Sequence, residues 1–404
     1  MVNIKKIFIS AGESSGDIYG ARLAAAFKNN LKDVKLYGMG LSRMAAEGVE
    51  LVSDVRKHSV MGITEILSSL YANYKNIKKC ADMIRGEKID TLVLIDYAGF
   101  NLKLAEAAKL SGIHTAYFIP PKLWAWGAFR MNGLKKNVDK VYSIFSFEND
   151  FFNKNGVNSV FLGHPIFDII KLSGFDYDNF LSCEKAGGDI RDCRKNKIIL
   201  MPGSRKSEIS FLLPAVIESA SEINRRYARD IEGLEFILPV APSTDETLVK
   251  KHLKRARFNY RFVYSDIDKY NSFAQARFAI ASSGTATLEL ALFGVPMVVV
   301  YKVAALTELV GRFLLKARYI GLPNILARAC VAPELIQREV NRENIMYHAS
   351  KLIPAGHFRN SAVKSLLNTA AILKYKRGSS PTDSVAADIY GGIGGSFESD
   401  KTVL

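Results

Sequence analysis

Cysteine is scarce in this chain. Only Cys80, Cys183, Cys193 and Cys330 occur among 404 residues. They form no C-x-x-C pair, and no histidine stands at zinc-finger spacing from them. That argues against a structural metal or a disulfide framework and suits a reducing cytoplasm. Long apolar runs are missing too. The longest, such as residues 295–301, fall far short of the roughly 18 residues that span a bilayer. The apolar stretch Ile7-Phe8-Ile9 is too short for a secretory signal. The chain has no Gly-x-Ser-x-Gly, Cys–His or H-E-x-x-H arrangement, which argues against a hydrolase built on a covalent nucleophile or zinc.

What the chain does have is an ordinary globular composition, with 48% hydrophobic and 24% charged residues. Wholesale disorder and fibrous repeats are therefore excluded. At about 150 residues per domain, the length suggests two domains of ordinary size. Lysine and arginine outnumber acidic residues to give a formal charge of +15. This excess suits an anionic partner such as a nucleic acid, an acidic lipid surface or a phosphorylated ligand.

Short apolar runs alternate with helical patterns. Residues 6–10, 34–37, 91–95 and 114–119 read as strands, and each leads toward a helical stretch. The rhythm breaks over the polar residues 171–196. It restarts at 197–201, 234–240, 261–264, 278–281 and 296–301. Alternation of this kind predicts βαβ units and buried parallel sheets. The expected fold is therefore α/β, with two doubly wound parallel-sheet domains facing a cleft. The domains are expected over residues 1–172 and 173–376. Residues 377–404 read as a tail, partly disordered, in which 384–390 keep a weak helical pattern.

In such sheets ligands bind beyond the carboxyl ends of the strands, so chemistry is sought in the loops that follow them. Residues 12–17 follow the first strand. Gly12 and Gly16 permit tight backbone, and Glu13 and Asp17 could hold sugar hydroxyls. An ordinary strand–helix turn capped by Asp17 is the competing reading. Asp96 directly follows the run TLVLI, where it could accept a proton from an attacking hydroxyl or cap the next helix. In Met201-Pro202-Gly203-Ser204-Arg205, Gly203 frees the turn and Arg205 can clamp a diphosphate with two donors.

The segment ASSGTATLE, residues 281–289, is the sharpest signal. An apolar strand ends in small hydroxyl residues and a helix begins at once. The N–H groups at the start of that helix suit a phosphate, and Glu289 one turn in suits a ribose; a well-capped helix with close packing is the competing reading. Asp266 and Asp268 resemble a metal-binding D-x-D pair, but they sit where a helix start alone would favour them. His164 reads equally as a ligand contact or a structural residue. Residues 120–130 (PPKLWAWGAFR) and 306–320 set aromatic side chains among basic ones. They suit a membrane interface, an acyl pocket or half-buried helices. No nucleic-acid-binding signature occurs.

The motifs AGESSGD (11–17), MGITEIL (61–67), LIDYAGFN (94–101), PKLWAWG (121–127), GHPIFD (163–168), PGSRKSEI (202–209), SSGTATLE (282–289) and LPN (322–324) follow one another in this order. Together they resemble the lipid-A-disaccharide synthase family of GT-B glycosyltransferases, over about residues 5–375. The resemblance implies two Rossmann-like domains and an inverting transfer with no metal and no cofactor. UDP-2,3-diacylglucosamine would donate its sugar to 2,3-diacylglucosamine 1-phosphate, giving a β-1,6-linked disaccharide 1-phosphate and UDP.

By the same resemblance, Asp96 would be the general base and Glu13 a second acid of the active site. Arg205 with Ser204 would meet the UDP phosphates, and Ser283, Gly284, Thr285, Ala286 and Glu289 would cradle the nucleotide. Gly12, Gly16, Asp17, Met61, Asn324, Glu334 and Gln337 would complete the substrate sites. It further implies a cytoplasmic enzyme held peripherally at the anionic inner face of the inner membrane, and it leaves a homodimer open. Two loops depart from the family pattern: Tyr97, Ala98 and Gly99 replace a second acid and a proline, and Pro120 and Gly127 flank the tryptophans in place of serine and arginine. These departures bear on the acceptor pocket. The competing assignments are another UDP-sugar enzyme of this scaffold, such as a lipid-linked transferase or a UDP-N-acetylglucosamine epimerase, and a basic binding module without catalysis.

Overall fold

The computed structural model describes residues 4–31, 33–54, 63–125, 127–185, 196–241, 244–303, 318–373 and 380–392. Internal packing divides the chain into two units, residues 1–168 with 375–404, and residues 169–374.

The first unit is a parallel sheet of seven strands among the described residues: β1 (Lys5–Ala11), β2 (Val34–Gly40), β3 (Glu50–Asp54), β4 (Thr91–Ile95), β5 (His114–Phe118), β6 (Lys140–Ser143) and β7 (Ser159–Phe161). Their spatial order is β3-β2-β1-β4-β5-β6-β7. The apolar run of β4 is buried at every position, as expected of a strand covered on both faces. The helix Ala98–Leu110 then turns Phe100, Leu104, Ala105 and Ala108 inward, an apolar stripe at helical spacing.

The second unit repeats the plan with β8 (Lys197–Met201), β9 (Glu235–Pro239), β10 (Tyr260–Val263), β11 (Ala276–Ser282), β12 (Met297–Tyr301) and β13 (Glu334–Ile336), in the order β10-β9-β8-β11-β12-β13. The long helix Lys206–Tyr227 buries Ile209, Leu212, Leu213, Val216, Ala220 and Ile223 against this sheet's core. The α/β class, the two doubly wound sheets and the parallel pairing all agree with the alternation in the sequence.

Strand order reverses direction between β1 and β4 in the first sheet and between β8 and β11 in the second. At such a point the two flanking loops run to opposite faces and leave a crevice beyond the strand ends, where ligands of these sheets bind. The registers Ala11↔Ile95 and Ala281↔Met201 place the ends of each strand pair side by side.

Two stretches hold structure that the sequence pattern did not separate. The polar stretch 171–196 contains the helix Tyr177–Lys185, whose Tyr177 hydroxyl donates to Leu292 O at 2.7 Å. The expected tail contains the helix Pro381–Gly392, which packs on the helix Ser14–Asn30 of the first unit. Its Asp388 accepts from Tyr142 Oη at 2.7 Å, and Asp168 accepts from both the N–H and the hydroxyl of Thr382. Among the described residues no helix is long and apolar enough to cross a membrane.

Candidate functional site

In the first unit Asp96 leaves the end of β4 in an unusual backbone conformation. Asp96 (φ 47°) and Tyr97 (φ 46°) are both left-handed, and so is Ile119 (φ 59°) at the end of β5. Each costs roughly 1–3 kcal/mol in a non-glycine residue and persists only where surrounding contacts impose it. Those contacts are present. Asp96 N–H donates to Ile119 O at 3.1 Å. Asp96 O accepts from Tyr117 Oη at 2.5 Å and from Asn101 Nδ2 at 2.8 Å. The Asp96 side chain still reaches solvent. Protein packed around its carboxyl nevertheless pushes the pKa above the usual carboxylate value, while Lys122 and the Tyr97 N–H pull the other way. Burial, reinforced by the charge of Asp96, raises the Tyr117 phenol and keeps it a donor.

The neighbouring loop comes from β1. Glu13 is exposed at the start of the helix Ser14–Asn30 and caps nothing with its side chain. Gly12 lies under the Tyr97 ring, and Gly16 packs where an added methyl would stand 3.3 Å from Ala11 Cβ. Asp17 is already engaged. It is buried, and its carboxylate accepts from the N–H groups of Leu41, Arg43 and Met44 at 2.7, 3.1 and 3.2 Å. It therefore caps the helix Ser42–Ala46 instead of its own. Met61 lies outside the described residues, as do Trp126 and residues 304–317 of the second aromatic-basic segment.

Trp124 is fixed by Glu148, whose Oε1 accepts from the indole N–H at 2.8 Å. Burial pushes the Glu148 carboxyl up to about 7, against the opposing effects of Trp124, Lys122 and two backbone N–H groups. His164 is buried. Its Nδ1 accepts from Ile166 N–H at 3.1 Å, and burial, helped by Lys122, brings its pKa down to about 3. The ring is thus neutral and carries its proton on Nε2.

In the second unit the loops after β8 and β11 stand next to each other. Gly203 turns with φ 102°, and a methyl there would strike the Glu208 carboxylate. Glu208 accepts from Ser204 N–H and from the Arg205 guanidinium, both at 3.3 Å. The Arg205 side chain is 74% exposed and has no other partner among the described residues. Across from it, Gly284 and Thr285 are exposed at the start of the helix Thr285–Leu292, whose first N–H groups have no intrahelical acceptor. Arg205 and a helix N-terminus thus share one end of one sheet. Glu289 Oε1 accepts from Lys269 Nζ and Tyr270 Oη, each at 2.9 Å. Burial would lower the Lys269 pKa, but the charges of Glu289 and Asp266 outweigh it and hold it up.

Asn324 and Glu334 are brought together in one hydrogen-bond network. Asn324 has no exposed surface. Its Oδ1 accepts from Val331 and Ala332 N–H at 2.7 and 2.8 Å, and its Nδ2 donates to Ala332 O and to Glu334 Oε1. Glu334 also accepts from the N–H groups of Ile320 and Gly321, and Ser283 Oγ donates to Ile320 O at 2.8 Å. The network therefore ties the LPN loop to the loop after β11. Gln337 holds Val303 through both its amide atoms. Asp266 pairs with Lys269, and Asp268 accepts from Ser265, the cap of their helix.

Sequence reasoning did not single out Asn101, Tyr117, Glu148, Glu208 or Lys269. Asn101, Tyr117, Glu148 and Lys269 act through contacts with residues distant in sequence, for which no local pattern exists; Glu208 acts within its own turn, on Ser204 and Arg205.

A family model described as lipid-A-disaccharide synthetase matches residues 7–384. Curated lipid-A-disaccharide synthases align along most of the chain. The Syntrophus aciditrophicus protein is 37% identical over 85% of this chain and 87% of its own length. The Myxococcus xanthus protein is 34% identical over 91% and 92%, and the Legionella pneumophila synthase 1 is 32% identical over 96% and 97%. Among solved structures, the S. aureus MnaA–UDP co-structure superposes with a TM-score of 0.61 at 14% identity, covering 96% of this chain and 98% of its own. UDP-GlcNAc 2-epimerase from Neisseria meningitidis, bound to UDP-GlcNAc, gives 0.61 at 12% identity over 96% and 100%. At these identities the structural likeness shows the fold alone.

Proposed function

The chain belongs to the lipid-A-disaccharide synthase family, glycosyltransferases of lipid A biosynthesis, and on that premise we propose that it transfers the sugar of UDP-2,3-diacylglucosamine to 2,3-diacylglucosamine 1-phosphate. In this reading Asp96 takes the proton of the acceptor's 6-hydroxyl. The hydroxyl oxygen bonds to the anomeric carbon from the face opposite UDP, and the bond to UDP breaks with its electron pair leaving on the diphosphate. A hydroxyl is a poor nucleophile, and a positioned base contributes roughly 10²–10⁴-fold. The raised pKa of Asp96 makes it a stronger base than an ordinary aspartate.

The observation that carries the reading is the side-by-side placement of the β8 and β11 ends. It offers the departing diphosphate the Arg205 guanidinium and the free N–H groups of Thr285 and Ala286 together. Preorganised donors of this kind are worth about 3 kcal/mol each at a developing charge. Glu289 is left its Oε2 to accept from a ribose hydroxyl. Asn324, Glu334 and Gln337 act as supports of that cradle, and Asp17 as a support of the loop bearing Glu13.

The lipid substrates bring the enzyme to the anionic cytoplasmic face of a membrane, for which the charge of +15 is suited. The test is to incubate the purified protein with both acylated sugars and follow the products. Disaccharide 1-phosphate and UDP in equal amounts support the reading. UDP release without disaccharide, or epimerisation of a UDP-sugar, contradicts it.

A further inference from the structure

Resting on the reading of Asp96 as the base, we propose that Asn101 is the positioning residue that fixes it, a clamp between the ends of β1 and β4. Asn101 has no exposed surface. Its Nδ2 donates to the carbonyls of Ile95 and Asp96 at 3.1 and 2.8 Å and approaches that of Ser10 at 3.4 Å. Its Oδ1 accepts from the buried Ser10 hydroxyl at 2.6 Å.

Every one of these partners lies outside the helix Ala98–Leu110 that carries Asn101. An asparagine serving its own helix would cap one of that helix's N–H groups, and this side chain bonds none of them. It holds the main chain where β4 ends and the left-handed pair Asp96–Tyr97 begins. A pair of left-handed non-glycine residues needs such external fixing. Tyr117 and Ile119 also touch Asp96 from the β5 side. Asn101 alone among these contacts joins Asp96 to β1, two residues before Gly12. Beside the β1–β4 ladder that ends at Ala11↔Ile95, this buried amide adds a side-chain tie between the Asp96 and Glu13 loops.

Misplacing a catalytic group by about 1 Å costs on the order of 10²-fold. Asn101→Ala, Ser10→Ala and Asp96→Asn are made in the full chain. For each, kcat, both KM values, UDP affinity and the pH profile of kcat/KM are measured. Asn101→Ala is expected to lower kcat about 10²-fold, with UDP affinity within twofold of the parent. Ser10→Ala should show a smaller drop of the same kind. The acid limb should move to lower pH in both as the carboxyl relaxes toward water. A purely structural loss would scale kcat with the folded fraction and leave the limb in place.

Folded Asn101→Ala and Ser10→Ala with the parent kcat and limb, beside an inactive Asp96→Asn, would overturn the clamp alone. An active Asp96→Asn would overturn the base assignment and the clamp with it. Should Asn101→Ala fail to fold, Ser10→Ala, which deletes one oxygen, decides the question by the same two readouts.

Discussion

The ring of Tyr97 occupies the space that a side chain at Gly12 would need: a methyl built on Gly12 falls 2.0 Å from Tyr97 Cδ1 and 2.2 Å from Cγ. Those ring atoms are the inner ones, and the ring stacks on Phe100, so it can swing away only by a change of rotamer that breaks this contact. Gly12→Ala is therefore expected to destabilise the first unit by about 1–3 kcal/mol, the range for overpacking. It should also reduce turnover while UDP affinity, assigned to the second unit in the proposed reading, is unchanged. Urea unfolding beside a UDP titration checks both halves of this expectation.

Asn324→Ala removes the acceptor of the Val331 and Ala332 N–H groups. A buried donor left without a partner costs about 1–3 kcal/mol. The expected result is a lower denaturation midpoint for the second unit, together with weaker UDP binding through the loosened Ile320–Ser283 tie. Unchanged UDP affinity at unchanged midpoint would show that the network does not support the nucleotide loop.

The fold was largely legible because both sheets are built from apolar runs such as TLVLI and KIILM, which only a doubly covered strand explains. The candidate site's position was legible where it depends on loops that follow strands. Gly203, Arg205, Gly284 and Thr285 announce themselves by following strands. Asp17 shows the limit. Its position predicts a local cap or a ligand contact, yet it caps a helix 24 to 27 residues later. Asn324 is fully buried and bonds Glu334, a placement decided by tertiary packing that no local pattern reveals. The helix Pro381–Gly392 gives only a weak pattern in the sequence, since its small apolar face is completed by packing on the distant helix Ser14–Asn30.

Glu148 gives the stability of the first unit a pH dependence. Its ordinary carboxyl value of 4.5 is raised to about 7 by burial. The folded state therefore retains a proton that the unfolded chain releases. Its contribution is fully present below about pH 4.5 and is lost as pH rises through about 7, a change on the order of 3 kcal/mol. Glu148→Gln keeps an acceptor for the Trp124 indole and cannot ionise. The melting temperature of the wild-type chain should fall relative to this variant between pH 5 and 8. Parallel melting curves across that range would contradict the assignment.

Lys269 is expected to act on the nucleotide through Glu289. Lys269→Met removes the ion pairs to Asp266 and Glu289 and leaves the Glu289 carboxylate held by Tyr270 alone. UDP affinity should weaken about tenfold, as for loss of one hydrogen bond of ordinary strength, with little change in kcat at saturating donor. A fall in kcat with unchanged affinity would place Lys269 in another role.

The most direct measurement sets Asp96→Asn and Arg205→Ala side by side, titrating UDP into each by calorimetry and assaying disaccharide formation on the same samples. Asp96→Asn should lose roughly 10²–10⁴-fold in turnover and bind UDP as the parent does. Arg205→Ala should bind UDP about 10–100-fold more weakly, the loss of a charge-assisted contact, and turn over more slowly as well. An Asp96→Asn variant with parental turnover, or an Arg205→Ala variant with parental UDP affinity, would contradict the division of labour between the two strand ends.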